Sequence, residues 1–400
     1  MSKRLVVLVF NALVAILFVA ISGCSWAPTV KVDAPPVVFV HGEGDSAAYW
    51  QEMVWRFESN GWPRNRLFAL QQPLPRARDT DTKDQPGRSS FDDQLAFLKA
   101  EVHRVLTQTA ATQVVLIGQG RGAFAIRNFI VNGGGDPFVS HAVLAGPDAP
   151  WIGKTNSLTL QDYDSKALKG VKSMVIARAD QRDAAFTTEQ FADSYRFITD
   201  TAPTSLTVWP QVELLLDGVV TGMGVQSGDR ASADNDFVNN LPVPKARVEV
   251  YAVQRDTGLR LGAAVYQKAV AEDGRWGPFK AEQGAFYEFV LRAPGYAVTH
   301  IYRSPFSRGS NAVNLRASRI ADADLPAFSI IELQRPSGRL DPTVRHITFD
   351  GQSPPPRKIT LTRLQNRAIA AEIHTDSVER VVGRTWPAKE SHVVRLELSQ

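Results

Sequence analysis

Hydrophobic positions take two textures along the 400 residues, and the change between them lies near Thr201. Before it, short unbroken apolar runs alternate with stretches whose apolar residues recur at helical spacing. Val37-Val38-Phe39-Val40 is one such run, and continuous apolarity of this length predicts a strand covered on both faces. From about Ser46 the spacing of Trp50, Met53, Val54 and Phe57 predicts an amphipathic helix, which Gly61 ends. Leu67 to Leu70 is a second short apolar run. Gln71 to Ser90 is polar and rich in Pro, Arg and Asp, the texture of a long loop with a solvated charged surface. A second helix is predicted from Ser90, with Leu95, Leu98, Val102, Val105 and Leu106 as its buried stripe. Val114 to Ile117 predicts a strand and Ala123 to Val131 a helix stopped at Gly133-Gly134-Gly135. Ala142 to Leu144, Leu158 to Leu160 and Val171 to Ala177 predict further strands. Thr187-Thr188-Glu189-Gln190 is a capping-box pattern opening a helix with Phe191, Tyr195 and Ile198 inward. Strands alternating with helices predict a mainly parallel sheet with helices on both faces, the α/β class, over residues 36–200.

From Thr201 onward the pattern is β-rich. Val212 to Leu216, Ala246 to Val253 and Phe286 to Leu291 are separated by turn signals such as Asp256-Thr257-Gly258 and Asp273-Gly274. This predicts one or two all-β sandwiches. Pro354-Pro355-Pro356 divides them into a β-sandwich over 201–353 and a β-rich segment over 354–400. No internal repeat stands out.

The first residues carry a different signal. Lys3 and Arg4 precede an apolar run of 17 residues from Leu5 to Ile21, broken only by Asn11, and Ile21-Ser22-Gly23-Cys24 follows. A charged head, a short apolar run and small residues before a cysteine have the form of a secretory signal ending in a bacterial lipobox. Residues 1–23 are therefore expected to be a cleaved signal peptide and 24–35 a tether. Cys24, the single cysteine of the chain, is the expected lipidation site, and it excludes an intramolecular disulfide. An uncleaved membrane anchor is the competing reading of the same run. The expected location is the bacterial cell envelope, with the protein held on a membrane by its N-terminal lipid. Ser25 after the cysteine points to the outer membrane, facing the periplasm.

Composition narrows the partners. With 44% hydrophobic and 22% charged residues the chain is globular, and its formal charge of +4 drops to +2 without Lys3 and Arg4. That charge, with bases and acids interspersed, gives no footprint for nucleic acid. The seven histidines are scattered without metal-ligand spacing, so neither a metal nor a cofactor is expected.

The candidate chemistry lies at Leu116-Ile-Gly-Gln-Gly-Arg-Gly-Ala-Phe124. A strand, a glycine-flanked turn and a helix, preceded in the chain by a strand ending at His41-Gly42, resemble the nucleophile elbow of an α/β-hydrolase. Gly118 and Gly122 fix the register. The spacing fits neither a G-x-G-x-x-G fingerprint nor a P-loop, although an anion site at the helix start is an open reading. The whole chain is similar to the two-domain lipases of bacteria and archaea, in which a minimal hydrolase domain precedes a lipid-binding β domain. Gly284 to Phe306, "GAFYEFVLRAPGYAVTHIYRSPF", carries that similarity and also shares part of a carboxypeptidase-regulatory-type sandwich pattern.

In such an enzyme a serine at the elbow is activated by a histidine that an acid orients. The resemblance puts Gly120 at the nucleophile, Ala145 at the acid and Gln181 at the histidine, so no catalytic group is expected at any of the three. Asp148, Asp162, Asp164 and Asp180 are alternative acids. Between residue 142 and the end of the first half there is no histidine. The oxyanion donors would be the backbone N–H groups of Glu43 and Arg121. Glycine suits the elbow because it adopts positive φ without strain. His41 is expected to order the His-Gly loop with Gly42, although a histidine-dependent variant of the fold would use it chemically. Arg121 either faces solvent at the helix start or binds an anion. Of Phe286, Tyr287, Phe289, Tyr296, Tyr302 and Phe306, about half are expected in the core and the rest on a lipid or glycan surface.

The resulting expectation is a lipid-anchored, non-catalytic binding or scaffolding protein for lipid, glycan or an envelope protein. The alternatives are an active lipase or carboxylesterase with a displaced nucleophile, Ser89 or Ser90, and a structural β module on a hydrolase platform.

Overall fold

The computed structural model describes residues 33–146, 154–161, 172–175, 187–223, 238–335, 346–353, 358–361, 366–374 and 378–399. Cys24, Asp148, Asp162, Asp164, Asp180 and Gln181 lie outside the described residues.

Strands β1 (Val37–Val40), β2 (Leu67–Ala69), β3 (Val114–Gln119), β4 (Val139–Ala145), β5 (Asn156–Gln161) and β6 (Lys172–Val175) form a parallel sheet in the order β2-β1-β3-β4-β5-β6. Helices α1 (Gln51–Ser59), α2 (Phe91–Thr109), α3 (Arg121–Val131) and α4 (Thr188–Thr199) cover it. On one face Trp50, Met53, Phe57, Phe191 and Tyr195 pack on Phe39, Ile117 and Val143. On the other, Leu98, Val102, Val105, Ile126 and Phe129 pack on Val38, Leu116 and Leu144. Burial on both faces explains why β1 reads as four consecutive apolar residues rather than an alternation. Ser90 caps α2 in a complete capping box with Asp93. Only half of the box predicted at α4 forms. Thr187 accepts from the N–H of Gln190, but the Gln190 Oε1 that should return the bond is buried without a partner. The chain leaves β1 for β2 on one side and comes back to β3 on the other. The carboxyl ends of β1 and β3 therefore flank the position where open α/β sheets bind ligands.

The second half contains β7 (Leu214–Met223), β8 (Val238–Pro242), β9 (Arg247–Val253), β10 (Tyr266–Ala269), β11 (Arg275–Ala281), β12 (Phe286–Arg292), β13 (Val298–Arg303), β14 (Leu315–Ala317), β15 (Ser329–Gln334), β16 (His346–Phe349), β17 (Lys358–Leu361), β18 (Ala368–His374), β19 (Val378–Arg384) and β20 (His392–Glu397). A mixed sheet of order β10-β9-β12-β13-β20-β15-β17 lies at its centre. The sheet built on β11-β7-β14, with β8, packs on one face through Leu216, Val220, Trp276 and Phe279 against Val250, Phe289 and Ile301. The sheet β16-β18-β19 packs on the other through Phe349, Ile369 and Ile373 against Tyr302, Ile331 and Val394. Two sandwiches thus share one sheet.

This arrangement departs from two expectations. The strands do not divide at Pro354: β20 lies between β13 and β15, parallel to both, and β17 pairs with β15. The 354–400 segment completes the sheet begun before it. The aromatic stretch also goes inward further than alternation implied. Tyr287, Phe289, Tyr302 and Phe306 are buried, while Phe286 and Tyr296 pack partly buried against the two cores. The reason is that both faces of the central sheet are covered, so neither phase of the alternation meets water.

The two halves are packed together. Trp55 of α1 is buried in the core of the β region, and its Nε1–H donates to the carbonyl of Gly309 at 2.9 Å. Arg308 pairs with Glu58 at 3.2 Å, and Asn60 Nδ2 donates to Ser205 O at 2.8 Å. Among the described residues no helix is long and apolar enough to cross a membrane.

Candidate functional site

At the carboxyl end of β3 the chain turns into α3 through Gly120, held at φ 50° and ψ −120°. Three neighbouring glycines are fixed by contact. A Cβ on Gly118 would press into Ile126 and come within 2.9 Å of the Ala123 nitrogen. One on Gly122 would overlap the carbonyl oxygens of Val40 and His41, and one on Gly42 the side-chain amide of Gln119. These glycines let the end of β1, the end of β3 and the start of α3 lie backbone against backbone. Gly120 differs from all three. A Cβ built there has nothing within 4 Å, so only its positive φ favours glycine. Its N–H donates to Ala145 O at 2.8 Å, and its carbonyl accepts from the Phe124 N–H at 3.1 Å. Ala145 ends β4 in register with Gln119.

His41, next to this turn, is 1% exposed. Its Nδ1–H donates to Gly42 O at 3.1 Å, and its Nε2 accepts from the Gln72 N–H at 3.2 Å. Burial is the main cause that pushes its pKa down to about 4, with Arg316 and Arg121 adding to it. The ring is thus a neutral, fixed tautomer with both nitrogens engaged, which leaves no lone pair for proton abstraction.

The segment from Gln71 to Ser90 crosses close to this turn and is held from several sides. Arg121 does not face solvent: it is 8% exposed, and its guanidinium donates to the carbonyls of Pro75 at 3.2 Å, Ser89 at 2.7 Å and Ser90 at 3.3 Å. The Glu43 carboxylate lies 3.8 Å from Arg121 Nε and accepts from the Ala77 N–H at 2.8 and 3.1 Å. The carbonyl contacts engage both terminal nitrogens of Arg121, while Nε, buried without a hydrogen-bond partner, faces the Glu43 carboxylate. Ser89 and Ser90, the displaced-nucleophile candidates, are likewise occupied. Ser89 Oγ donates to Leu74 O at 2.7 Å and faces Gln72 Nε2 at 3.4 Å, while Ser90 caps α2.

Several polar residues that pattern reasoning missed complete the arrangement. Gln94 is buried and donates to Gln72 Oε1 at 3.3 Å and to Arg121 O at 3.4 Å. Its signal was a polar residue in phase with Leu98, Val102 and Val105 on the buried stripe of α2. From the β region, Asn240 Nδ2 donates to Asp45 O at 2.7 Å and Gln72 O at 2.8 Å, and Asn314 Nδ2 donates to Gln71 Oε1 at 2.9 Å. Arg316 donates to Asn240 Oδ1 at 3.1 Å, and burial lowers its pKa to about 10. No sequence signal marks these residues.

A second titratable row lies in the β region, between histidines 92 residues apart in the chain. His300 Nδ1–H donates to Glu288 Oε1 at 2.6 Å, and His300 Nε2 lies 2.7 Å from His392 Nδ1. Arg260 donates to both Glu288 oxygens, and Trp386 stacks on His300 with centroids 4.2 Å apart. Burial alone would raise Glu288, but the hydrogen bonds from His300 and Arg260 outweigh it and hold the carboxyl below its usual range. Among the described residues no group of three His, Cys, Asp or Glu side chains is placed to hold a metal ion.

Comparison with known proteins agrees with this architecture. Residues 34–143 match the family model for class 2 lipases, and residues 213–320 match that for the lipase C-terminal domain. The chain resembles a two-domain lipase. Both lipase-like segments fall where the structure places them, the first on the parallel sheet up to β4 and the second on the sandwich from β7 to β14. Among solved structures, Bacillus licheniformis lipase BlEst2 in its propeptide form is similar at 12% identity. That match covers 66% of this chain and 91% of the other, with a TM-score of 0.34. Bacillus subtilis carboxylesterase CesB matches at 12% identity over 43% and 86% of the two chains, with a TM-score of 0.30. The product of the gene lin2722 from Listeria innocua matches at 13% identity over 44% and 97%, with a TM-score of 0.30. No curated protein matches the chain.

Proposed function

We propose that this protein is a lipid-anchored envelope protein whose lipase-like domain has given up its nucleophile at Gly120. On this reading it binds or scaffolds a lipid, a glycan or an envelope protein. One observation carries it: the turn keeps the φ of an elbow and open space for a side chain, yet the residue there has none. The surrounding groups support the same reading, since His41 has both nitrogens engaged and Ser89 and Ser90 are spent on the backbone. A displaced-nucleophile esterase would need one of these serines beside a base. The lipid anchor rests on the Lys3–Cys24 pattern alone.

The test is chemical. The purified protein is treated with a fluorophosphonate probe and with short p-nitrophenyl esters. Neither labelling nor turnover is expected. Labelling that disappears in Ser89→Ala or Ser90→Ala would overturn the non-catalytic reading.

A further inference from the structure

A cleft of about 250 Å³ opens where α1 meets the β region, and none of its lining residues belongs to the Gly120 turn or to the segment from Gln71 to Ser90. Its charged lining divides evenly into Glu52, Glu379 and Glu397 against Arg255, Arg303 and Arg380. Most of these charges are already committed. Arg303 and Glu397 are buried as a pair bonded through Arg303 Nε. Glu379 accepts from Ser304 Oγ at 2.7 Å, from Ser399 Oγ at 2.7 Å and from the Ser399 N–H at 2.9 and 3.0 Å. Arg380 leans on Glu372 at 3.4 Å.

What remains uncommitted defines the ligand. Among the described residues, the Gln51 amide, the Ser307 hydroxyl and the exposed Arg255 guanidinium make no side-chain hydrogen bond or ion pair. Glu52 stands beside them with only a 3.7 Å contact to Arg56. Burial is the main cause that raises its pKa, with Arg56 acting against it and the nearby Glu379 adding to it. Half-buried Phe286 and the Val378 side chain, 61% exposed, supply apolar surface. A bare anion finds no net positive lining, and a fatty chain finds too many polar walls. Balanced charge, interleaved neutral donors and acceptors, and a small apolar wall are complementary to a polyhydroxyl ring with hydroxyl edges and a C–H face.

We propose that this cleft is a binding site for a single saccharide ring. The site stands apart from the Gly120 turn, so its fate and that of the non-catalytic reading are decided by different assays. The experiment is saturation-transfer difference NMR on the full chain, with N-acetylglucosamine and methyl glucoside as probes and butyrate as the control. At about 10 mM probe, where millimolar affinity gives measurable occupancy, transfer to sugar ring protons is expected from at least one sugar and none to butyrate. Paired Gln51→Ala and Arg255→Ala substitutions, both of polar residues at the cleft, are expected to cut the transfer at least tenfold while leaving the melting curve unchanged. Transfer that survives them, no transfer from either sugar, or transfer to butyrate alone would each overturn the assignment. If that double variant melts early, Gln51→Glu alone replaces it and is held to the same tenfold loss.

Discussion

The backbone N–H of Gly120 donates to the carbonyl of Ala145 at 2.8 Å, which ties the turn after β3 to the end of β4. These are the two positions where the lipase resemblance implies a nucleophile and an acid. They are neighbours at the carboxyl edge of the sheet, and neither carries a reactive side chain.

Gly120→Ser therefore tests the site in both directions. The added Cβ meets open space, so the cost is the strain of a side chain at φ 50°, about 1–3 kcal/mol, and the fold should persist. No esterase activity above background is expected, because both ring nitrogens of His41 are engaged and neither has a lone pair free to take the serine proton. Release of p-nitrophenol from short esters, followed with urea melts of the same preparation, checks both halves. Robust turnover would mean that a base reaches Gly120 from outside the described residues.

Much of the first half was legible in the sequence because its signals are local. Apolar runs marked β1 and β3, helical spacing marked α1 and α2, and the glycines at 118 and 122 fixed the register of the strand-turn-helix. What stayed hidden depends on long-range placement. Nothing near Arg121 in sequence indicates that carbonyls at Pro75, Ser89 and Ser90 will surround it, nor does Asn240 advertise a bond to Gln72. The position of β20 between β13 and β15 was equally invisible, since strand order leaves no trace in periodicity.

Arg121→Ala removes a buried cation that three carbonyls share. The loss of these charge-assisted hydrogen bonds should destabilise the protein by roughly 2–3 kcal/mol. The effect should concentrate on the segment the guanidinium holds. Hydrogen exchange resolved by peptide should rise over residues 76–90, where the Ser89 N–H donates to Arg76 O at 2.8 Å, and stay unchanged in the β region. Arg121→Lys should recover only part of the protection, since an ammonium cannot span the same carbonyls in one plane. Uniform loss across the chain would mean that Arg121 supports the whole domain rather than this segment.

Cys24→Ser addresses the anchor proposed from the first 24 residues. In bacteria expressing the full chain, the variant should incorporate no labelled palmitate and should leave the membrane fraction. A lipid attached through the thioether is the expected source of stable attachment, since each buried CH₂ contributes roughly 0.8 kcal/mol. If the variant stays membrane-bound with Lys3 to Ile21 intact, the apolar run itself is the anchor.

Acid should weaken the fold, and His41 supplies much of the reason. Its pKa is about 4 in the folded protein, against roughly 6.5 in an unfolded chain. Between these values the unfolded state binds the extra proton, so stability present above pH 6.5 is lost as pH falls towards 4. Over the step from pH 7 to pH 5 the linkage amounts to about 2 kcal/mol for this one buried ring. His392, also lowered to about 4 by burial and by His300, acts in the same direction, although its half-exposed ring makes its share smaller. Glu52 and Glu58, raised by burial, act oppositely, because they take up protons more readily when folded. Urea midpoints at pH 7 and pH 5, measured on the native chain and on His41→Asn, separate these terms. Asparagine keeps a donor and an acceptor at the site but does not titrate, so the variant should lose less stability between the two pH values than the native chain. Equal losses would show that His41 does not carry the acid sensitivity.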